Sequence, residues 1–409
     1  MPMSVLRKAL ATLLTILAVV GAVRLVAPAT SPDQEPSGVR LQLAFLRERL
    51  ERGADSEAQT LFPEGYFFLN ALYGLTWVDL GKRGVEPVRA ADEAAWALSR
   101  MESPAGRAPF DASAIPPYGV FYTGWTNWLR GGLLTLREDA AQRARFDADS
   151  QTLAAAFDAS PTPFLTAYPG QAWPCDSTVA IASLRLAGTR FAPTVDRWVT
   201  RARRLLDPAT GLLPHYVDPA TGALLDGARG TSQAIIQRFL VDVDPAFARE
   251  QYLLFRDGFL DRPLWLGPAI REYPHGVDGE GDVDSGPLIR GISLSTTVVA
   301  IGAAQVQGDR SLAGALANFG ELAGVPVTTW RTKRYAFGLL PIGDAFLAWS
   351  KTAVPWTTPA PPAPEAVIGG GWRVPLLLLL LLIGLLPWLR IGSLRDLPAG
   401  LLRRVHRER

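Results

Sequence analysis

Twelve stretches of helical periodicity, joined by connections that alternate between short and long, constrain this 409-residue chain more than any other feature. Apolar residues recur at three- and four-residue steps over 41–52, 65–80, 88–102, 118–135, 138–158, 177–187, 193–206, 230–240, 245–257, 287–306, 309–323 and 339–352. No stretch alternates at the period of two that a half-buried strand requires. The gaps 81–87, 136–137, 188–192, 241–244 and 307–308 are short, whereas 53–64, 103–117, 159–176, 207–229, 258–286 and 324–338 are long. In a closed ring of antiparallel helical hairpins, connections alternate between two rims, so every long loop falls on one rim. The helices that follow long loops are the more apolar, as over 178–186 and 289–304, while 138–158 carries Glu138, Asp139, Arg143, Arg145, Asp147 and Asp149. Helices apolar all round belong inside and amphipathic ones outside. The pattern predicts an all-α fold, an (α/α)6 toroid of six helical hairpins over 41–352. A helical solenoid is the alternative, but no fixed sequence period is visible.

The two ends of the chain have a different character. Residues 9–23 are apolar and uncharged between Lys8 and Arg24, which makes 1–27 an N-terminal membrane anchor or a signal segment. Residues 374–389 contain eight consecutive Leu or Ile residues ending at Ile383, so 373–390 reads as a transmembrane helix. Arg390, Arg395, Arg403, Arg404, Arg407 and Arg409 follow, and the tail 391–409 reads as cytoplasmic by the positive-inside rule. Pro-, Ser- and Gly-rich stretches over 28–40 and 353–372 read as linkers. Two spans put both termini in the cytoplasm and the main domain outside it, with a lipid bilayer as the first partner. The ends hold ten basic and two acidic residues, a net charge of +8, and the body, with 31 basic against 37 acidic, carries −6. A body of that sign is no nucleic-acid binder. One Cys excludes an intrachain disulfide or a multi-thiolate zinc site, and three His leave little for a metal cluster.

Reactive residue types collect in the long loops. These are Tyr66; Tyr122, Trp125 and Trp128; Trp173, Cys175 and Asp176; His215, Tyr216 and Arg229; Arg271, Glu272, His275, Asp278, Glu280, Asp282 and Asp284; and Arg334 with Tyr335. Asp176 and Asp284 stand where helix N-caps are wanted, and capping alone accounts for them, though the same placement aims a carboxylate into a cleft. Asp278, Glu280 and Asp282 alternate in a Gly-rich loop that could gather a calcium ion, but without the Gly and Glu spacing of an EF-hand. Tyr122 and Trp125 fit either core packing or a wall for stacking, and Cys175 fits either a small buried hydrophobe or a nucleophile. Two carboxylates across a cleft suit general acid–base chemistry, so Asp176 with Asp282 or Asp284 is the expected pair and Glu272 the reserve. Tyr66, Tyr122, Trp125, Trp173, His215, Tyr216, His275 and Tyr335 would line the substrate, and Arg229 and Arg271 would hold an acidic group.

Two family resemblances bear on this. Asp207-Pro208-Ala209-Thr210-Gly211-Leu212-Leu213-Pro214-His215, with Arg229-Gly230 following, resembles a loop of unsaturated glucuronyl hydrolase-type glycosidases, about 25 residues in all. Phe121-Tyr122-Thr123-Gly124-Trp125 and Cys175-Asp176 resemble the Met-Tyr-Ser-Gly-His segment and Cys-Glu pair of linalool dehydratase/isomerase. Both families are six-hairpin toroids, and the second implies chemistry at Cys175. Trp125 stands where that family has a His, and Leu184 where its second Cys is sought. The expectation is a membrane-tethered extracytoplasmic hydrolase or lyase acting on a glycan or glycosylated envelope lipid. The alternatives are a dehydratase/isomerase-like enzyme using Cys175, Tyr122 and Asp176 on a lipid-like alcohol, and a non-catalytic glycan- or lipid-binding toroid.

Overall fold

The computed structural model describes residues 5–31, 35–263 and 266–389; the tail 391–409 lies outside them. The chain forms two compact units, one of Met1–Ala27 with Gly371–Arg409 and one of Pro28–Gly370. Helix accounts for 62% of it and strand for 5%.

In the first unit, α1 (Val5–Val26) lies antiparallel to the helix at the other end of the chain, Arg373–Leu385. Arg7 donates to the Leu389 carbonyl at 2.9 Å, and Arg373 Nε donates to that of Leu25 at 3.0 Å. Gly384 lets Ala18 close to within 3.4 Å of where a Cβ would stand. The Thr15 hydroxyl donates to the Gly384 carbonyl at 2.9 Å and accepts from the Trp388 indole at 2.8 Å. Val5–Val26 and Gly370–Trp388, with mean hydropathies of 2.3 and 1.8, are long and apolar enough to cross a membrane. Their remaining faces expose Leu10, Leu13, Leu17, Leu378, Leu381 and Leu385.

The body begins with α2 (Val39–Glu51), α3 (Ala54–Leu61), α4 (Gly65–Lys82), α5 (Pro87–Met101), the single turn α6 (Pro104–Arg107) and α7 (Gly119–Leu136). It continues through α8 (Ala140–Ala159), α9 (Pro174–Leu186), α10 (Ala192–Ala202), α11 (Gly230–Phe239) and α12 (Pro245–Phe259). The last helices of the body are α13 (Leu294–Val306), α14 (Arg310–Ala323) and α15 (Pro341–Thr352), and Arg373–Leu385 is α16. Helices α4, α7, α9, α11, α13 and α15 each pack on the next, and α15 packs back on α4. Five of the six follow long loops and α4 follows α3 across residues 62–64; contacts such as Glu64 with Tyr168 and Glu272 with Thr296 gather N-termini at one end of the circuit, and Asp79 with Arg238 and Thr352 gathers C-termini at the other. Helix α4 is buried along nearly its whole length, as a helix without a polar face must be. Close approach is explicit at Gly124 of α7, where a Cβ would lie 3.1 Å from the Ala180 Cα of α9. The partners α5, α8, α10, α12 and α14 lie against the helices they follow, and α2 against α15.

Several elements differ from the sequence expectation, beginning with helix α3 and the turn α6, which stand in the stretches 53–64 and 103–117 read as loops. The long loops carry short antiparallel ladders, β1 (Tyr216–Val217) with β2 (Leu224–Asp226), β3 (Leu260–Asp261) with β4 (Ala269–Ile270), and β5 (Val327–Thr328) with β6 (Lys333–Arg334). Strands this short leave no period-two signature. Helix α13 starts at Leu294 rather than near 287, because Arg290 and Gly291 take φ of 54° and 80° and turn the chain between Ile289 and Ile292. Its cap is Ser293, which accepts from the Thr296 N–H at 3.1 Å, so Asp284 is not a helix cap. Helix α9 starts at Pro174, which places Asp176 inside its first turn.

The stretch expected as a C-terminal linker is tied to the body along its length. The Trp356 ring stacks on Trp128 at 4.2 Å, over Gly132, where a Cβ would collide with it. Asp242 accepts from the N–H groups of Trp356 and Thr357 at 2.8 and 2.7 Å, and the Ile368 N–H donates to Ser311 at 3.1 Å. This strap crosses the C-terminal end of the inner circuit.

Candidate functional site

The opposite end, where the inner helices begin, gathers charged side chains from the starts of four inner helices and the loops before them. Glu64 precedes α4, Asp176 lies in the first turn of α9, Arg229 precedes α11, and Asp282 and Asp284 belong to the loop before α13.

Asp176 is 7% exposed, and among the described residues its carboxyl has one hydrogen-bond partner, the Cys175 thiol at 3.8 Å. Burial, then the charges of Asp284 and Glu64, push it well above the carboxylate range. A helix N-terminus favours a carboxylate by about 0.3–1 kcal/mol, less than one pKa unit at about 1.4 kcal/mol. Burial and like charges, which move carboxyls by up to about 3–5 units, win. Asp284 has solvent-exposed surface, yet the protein around it and then Asp282 and Glu64 push it up to about 6, with Arg229 opposing.

The neighbouring carboxylates are bonded differently. Asp282 accepts from the N–H groups of Asp284 and Ser285 at 3.0 and 2.9 Å and pairs with Arg229 Nη1 at 2.7 Å. Burial opposes its charge, but the Ser285 N–H and Arg229 outweigh burial and hold it low. Glu272 is 0% exposed and accepts from Arg229 Nε at 3.0 Å, from the Thr231 hydroxyl and N–H, and from the Thr296 hydroxyl. It ties the start of α11 to α13 and offers no surface to a substrate.

Arg229 is therefore claimed by Glu272 and Asp282, with Asp226 at 3.8 Å and the Tyr273 ring at 5.1 Å. Its Nη2 is buried with no partner among the described residues. Arg271 is likewise occupied, by Asp261 and Asp278 at 3.4 Å and by the carbonyls of Tyr273 and Val277. Both guanidinium groups are thus already paired with carboxylates, and only Nη2 of Arg229 is left without a partner among the described residues. Asp278, Glu280 and Asp282 do not converge as a calcium site: Asp278 turns to Arg271 and Asp282 to Arg229, and no metal-holding group of three stands among the described residues.

Cys175 is half-buried beside Asp176. Burial and then Asp176 push its thiol well above the usual range, with a Ser232 hydrogen bond opposing. Ser232 also meets His215 Nδ1 at 2.5 Å, and burial, then Arg229, push His215 down to about 4, so this imidazole is neutral at pH 7. Trp173 lies 5.2 Å from the Tyr216 ring and 6.0 Å from that of Tyr168, forming an aromatic edge beside Asp176.

Other expected substrate contacts lie elsewhere. Trp125 is 1% exposed and packs among Phe68, Phe239 and Trp349, so it is core. Tyr122 is buried with its hydroxyl accepting from Arg107 at 3.0 Å, and Tyr66 is buried under the Arg100 guanidinium. Tyr335 donates to Glu321 at 2.5 Å in a buried cluster with Lys333 and Lys351. His275 is exposed, with its Nε2 at 3.0 Å from the Leu260 carbonyl.

Two residues that sequence reasoning did not single out belong to the site. Glu64 accepts from the Tyr168 hydroxyl, and both act electrostatically on Asp176 or with it. Nothing in the sequence pointed to the pairing of Glu64 with a tyrosine 104 residues away. A small open pocket on the outer wall, lined by Phe157, Thr194 and Trp198, holds none of these groups. No protein-family model matches the chain, and no curated protein matches it either.

Proposed function

We propose that the body is an (α/α)6 toroid carrying, where its inner helices begin, an enzyme site that works by carboxylate general acid–base catalysis on a glycan or glycosylated envelope lipid. Asp176 is the acid and Asp284 the base. One observation carries this reading: Asp176 is buried in the first turn of α9 with only the Cys175 thiol as a partner among the described residues, and Asp284 is one of the charges that act on it. Burial and like charge favour a proton on Asp176, while Asp284, raised to about 6, carries charge at pH 7, and acid–base chemistry needs such a division. The aromatic edge of Tyr168, Trp173 and Tyr216 suits a sugar face. Because Arg229 and Arg271 are already paired, the reacting sugar is neutral; an acidic one would meet Glu64, Asp176 and Asp284 unshielded.

Full-length protein in detergent micelles, assayed on a panel of neutral chromogenic glycosides, tests the proposal. Asp176→Asn lowers the rate by about 10²–10⁴-fold; a variant within threefold of wild type would falsify the assignment. Retained glycan binding without turnover in either protein would favour a binding module.

A second reading, an isomerase or dehydratase acting on a lipid-like alcohol, draws support from the Cys175–Ser232–His215 chain beside Asp176. Cys175→Ala separates the two, since only the second reading loses turnover. For topology, we infer that both membrane helices are spans with the chain ends cytoplasmic and the body outside. The basic excess of the ends and the antiparallel pairing of α1 with α16 support this. Alkaline phosphatase fused after residue 370 should be active, and an inactive fusion reverses the orientation.

A further inference from the structure

We propose that α1 is not a removable signal segment but the permanent partner of α16, and that the two form a self-contained antiparallel anchor in the bilayer. This rests on the reading of both helices as spans and adds what each span binds. Lipid tails are as apolar as leucine, so two apolar helices gain nothing from the hydrophobic effect by meeting in a membrane. Association there depends on close packing and on hydrogen bonds from one helix to the other. The two ends of this chain have both.

The contacts at the helix ends are reciprocal. A helix leaves its last carbonyls without intrahelical donors. Arg7, in the first turn of α1, donates to the Leu389 carbonyl at 2.9 Å, just past α16 and the 3-10 turn Leu386–Trp388. Arg373, the first residue of α16, donates from Nε to the Leu25 carbonyl at 3.0 Å, in the last turn of α1. Each helix therefore carries at its start a cation that serves the end of the other, where the helix dipole favours positive charge. A signal segment needs basic residues at its start, but it needs no partner for them 382 residues away.

Thr15 joins the helices between those ends. Its hydroxyl faces the Ala11 carbonyl of its own helix and the Gly384 carbonyl of α16, both at 2.9 Å, and accepts from the Trp388 indole N–H at 2.8 Å. The buried residues of α1 are Ala11, Ala18, Gly21 and Leu25, and steps of three, four and seven keep them on one face. Those of α16 are Leu376 and Gly384. Small residues let helix backbones approach, and this seam is filled within the chain. The large side chains left outside, Leu10, Leu13 and Leu17 with Leu378, Leu381 and Leu385, suit lipid tails.

The test needs no substrate. The intact mass of the wild-type chain, purified through a C-terminal tag, includes α1. For the pairing, Cys175→Ala removes the native thiol, and Ala18→Cys with Gly384→Cys puts two thiols on the seam. The Ala18 Cβ stands 3.4 Å from where a Gly384 Cβ would be, close to the roughly 3.5–4.5 Å that a disulfide spans. A protease site inserted at the exposed Glu280 allows a cut between the two helices. After oxidation in native membranes and cutting, most of the chain stays at full length on a non-reducing gel. With Ala18→Cys and Leu382→Cys the halves separate, because Leu382, 52% exposed, lies two residues from Gly384 and so on the opposite face. A purified chain that starts beyond α1, halves that part in the seam pair, or a cross-linked dimer each overturns the proposal. Loss of the chain to alkaline carbonate overturns the span reading instead. Should the seam pair fail to accumulate, Thr15→Cys with Gly384→Cys takes its place, since the Thr15 Cα lies 3.8 Å from the same point.

Discussion

Where the inner helices end, Asp79 meets the Arg238 guanidinium at 2.8 Å, the Trp356 indole N–H at 2.8 Å and the Thr352 hydroxyl at 3.3 Å. Where they begin, Asp176 meets a thiol at 3.8 Å. Both carboxyls are buried, and burial pushes both upward. At the strap end a cation and two further donors work against that push. At the other end like charges add to it. A buried carboxylate is tolerable when paired, and otherwise it takes a proton. The strap end solves the problem with fixed partners and becomes framework. At the site end no cation opposes the push, so burial and like charge favour the protonated form, which suits the proposed acid.

The largest expected effect breaks the comparison at the site. Asp176→Asn costs orders of magnitude in rate, yet it removes no strong bond, so the melting temperature stays level or rises. A large fall in melting temperature would make Asp176 framework too. Next in size is Arg238→Met at the strap end, which leaves Asp79 buried and uncompensated and destabilises the protein by about 3–5 kcal/mol. Chemical denaturation measures it, and a loss under about 1 kcal/mol would mean that the Asp79 pair is not structural.

A smaller effect is the dependence of stability on pH. Asp284 and Asp242 are both raised to about 6, in each case first by burial. An unfolded Asp titrates near about 3.9, so the folded state binds more protons between the two values. Their contribution is complete below about pH 4 and is lost as pH rises through about 6. Asp344, raised to about 7, and Asp176 act with the same sign. The melting temperature therefore falls between pH 4 and pH 7. Asp284→Asn flattens that fall at no cost at low pH. Asp242→Asn flattens it too, but lowers stability at every pH, because Asp242 holds the strap at Trp356 and Thr357. Equal behaviour of the two variants would erase the distinction between the ends. The smallest change is Tyr122→Phe, which loses the bond from Arg107 and about 1 kcal/mol. The rate should stay at wild type, and a substantial loss would revive the second reading.

Much of the architecture was readable because it is local. Periodicity located twelve of the fourteen body helices to within several residues, missing α3 and the single turn α6, and the alternation of loop lengths grouped Cys175, Asp176, Arg229, Asp282 and Asp284 at one end of the inner helices. The errors came from distant partners. Trp125 sits at the same helical spacing as a stacking wall would, and only Phe239 and Trp349, more than a hundred residues away, make it core. Arg229 and Arg271 looked like anion grips because their carboxylate partners lie on other loops. The strap looked like a linker because its Pro-rich composition carries no trace of Asp79 and Asp242.

The sequence by itself determined the helices, the order of short and long connections and the two apolar ends, because each follows from neighbours within a few residues. Only the tertiary structure decided which buried carboxylates have a cation. Asp79 finds Arg238 at a separation of 159 residues, and Glu64 finds only a tyrosine at 104. Whether an acid is framework or chemistry depends on the dielectric and the charges around it. Folding assembles those from segments whose spacing in the chain says nothing about their distance in space.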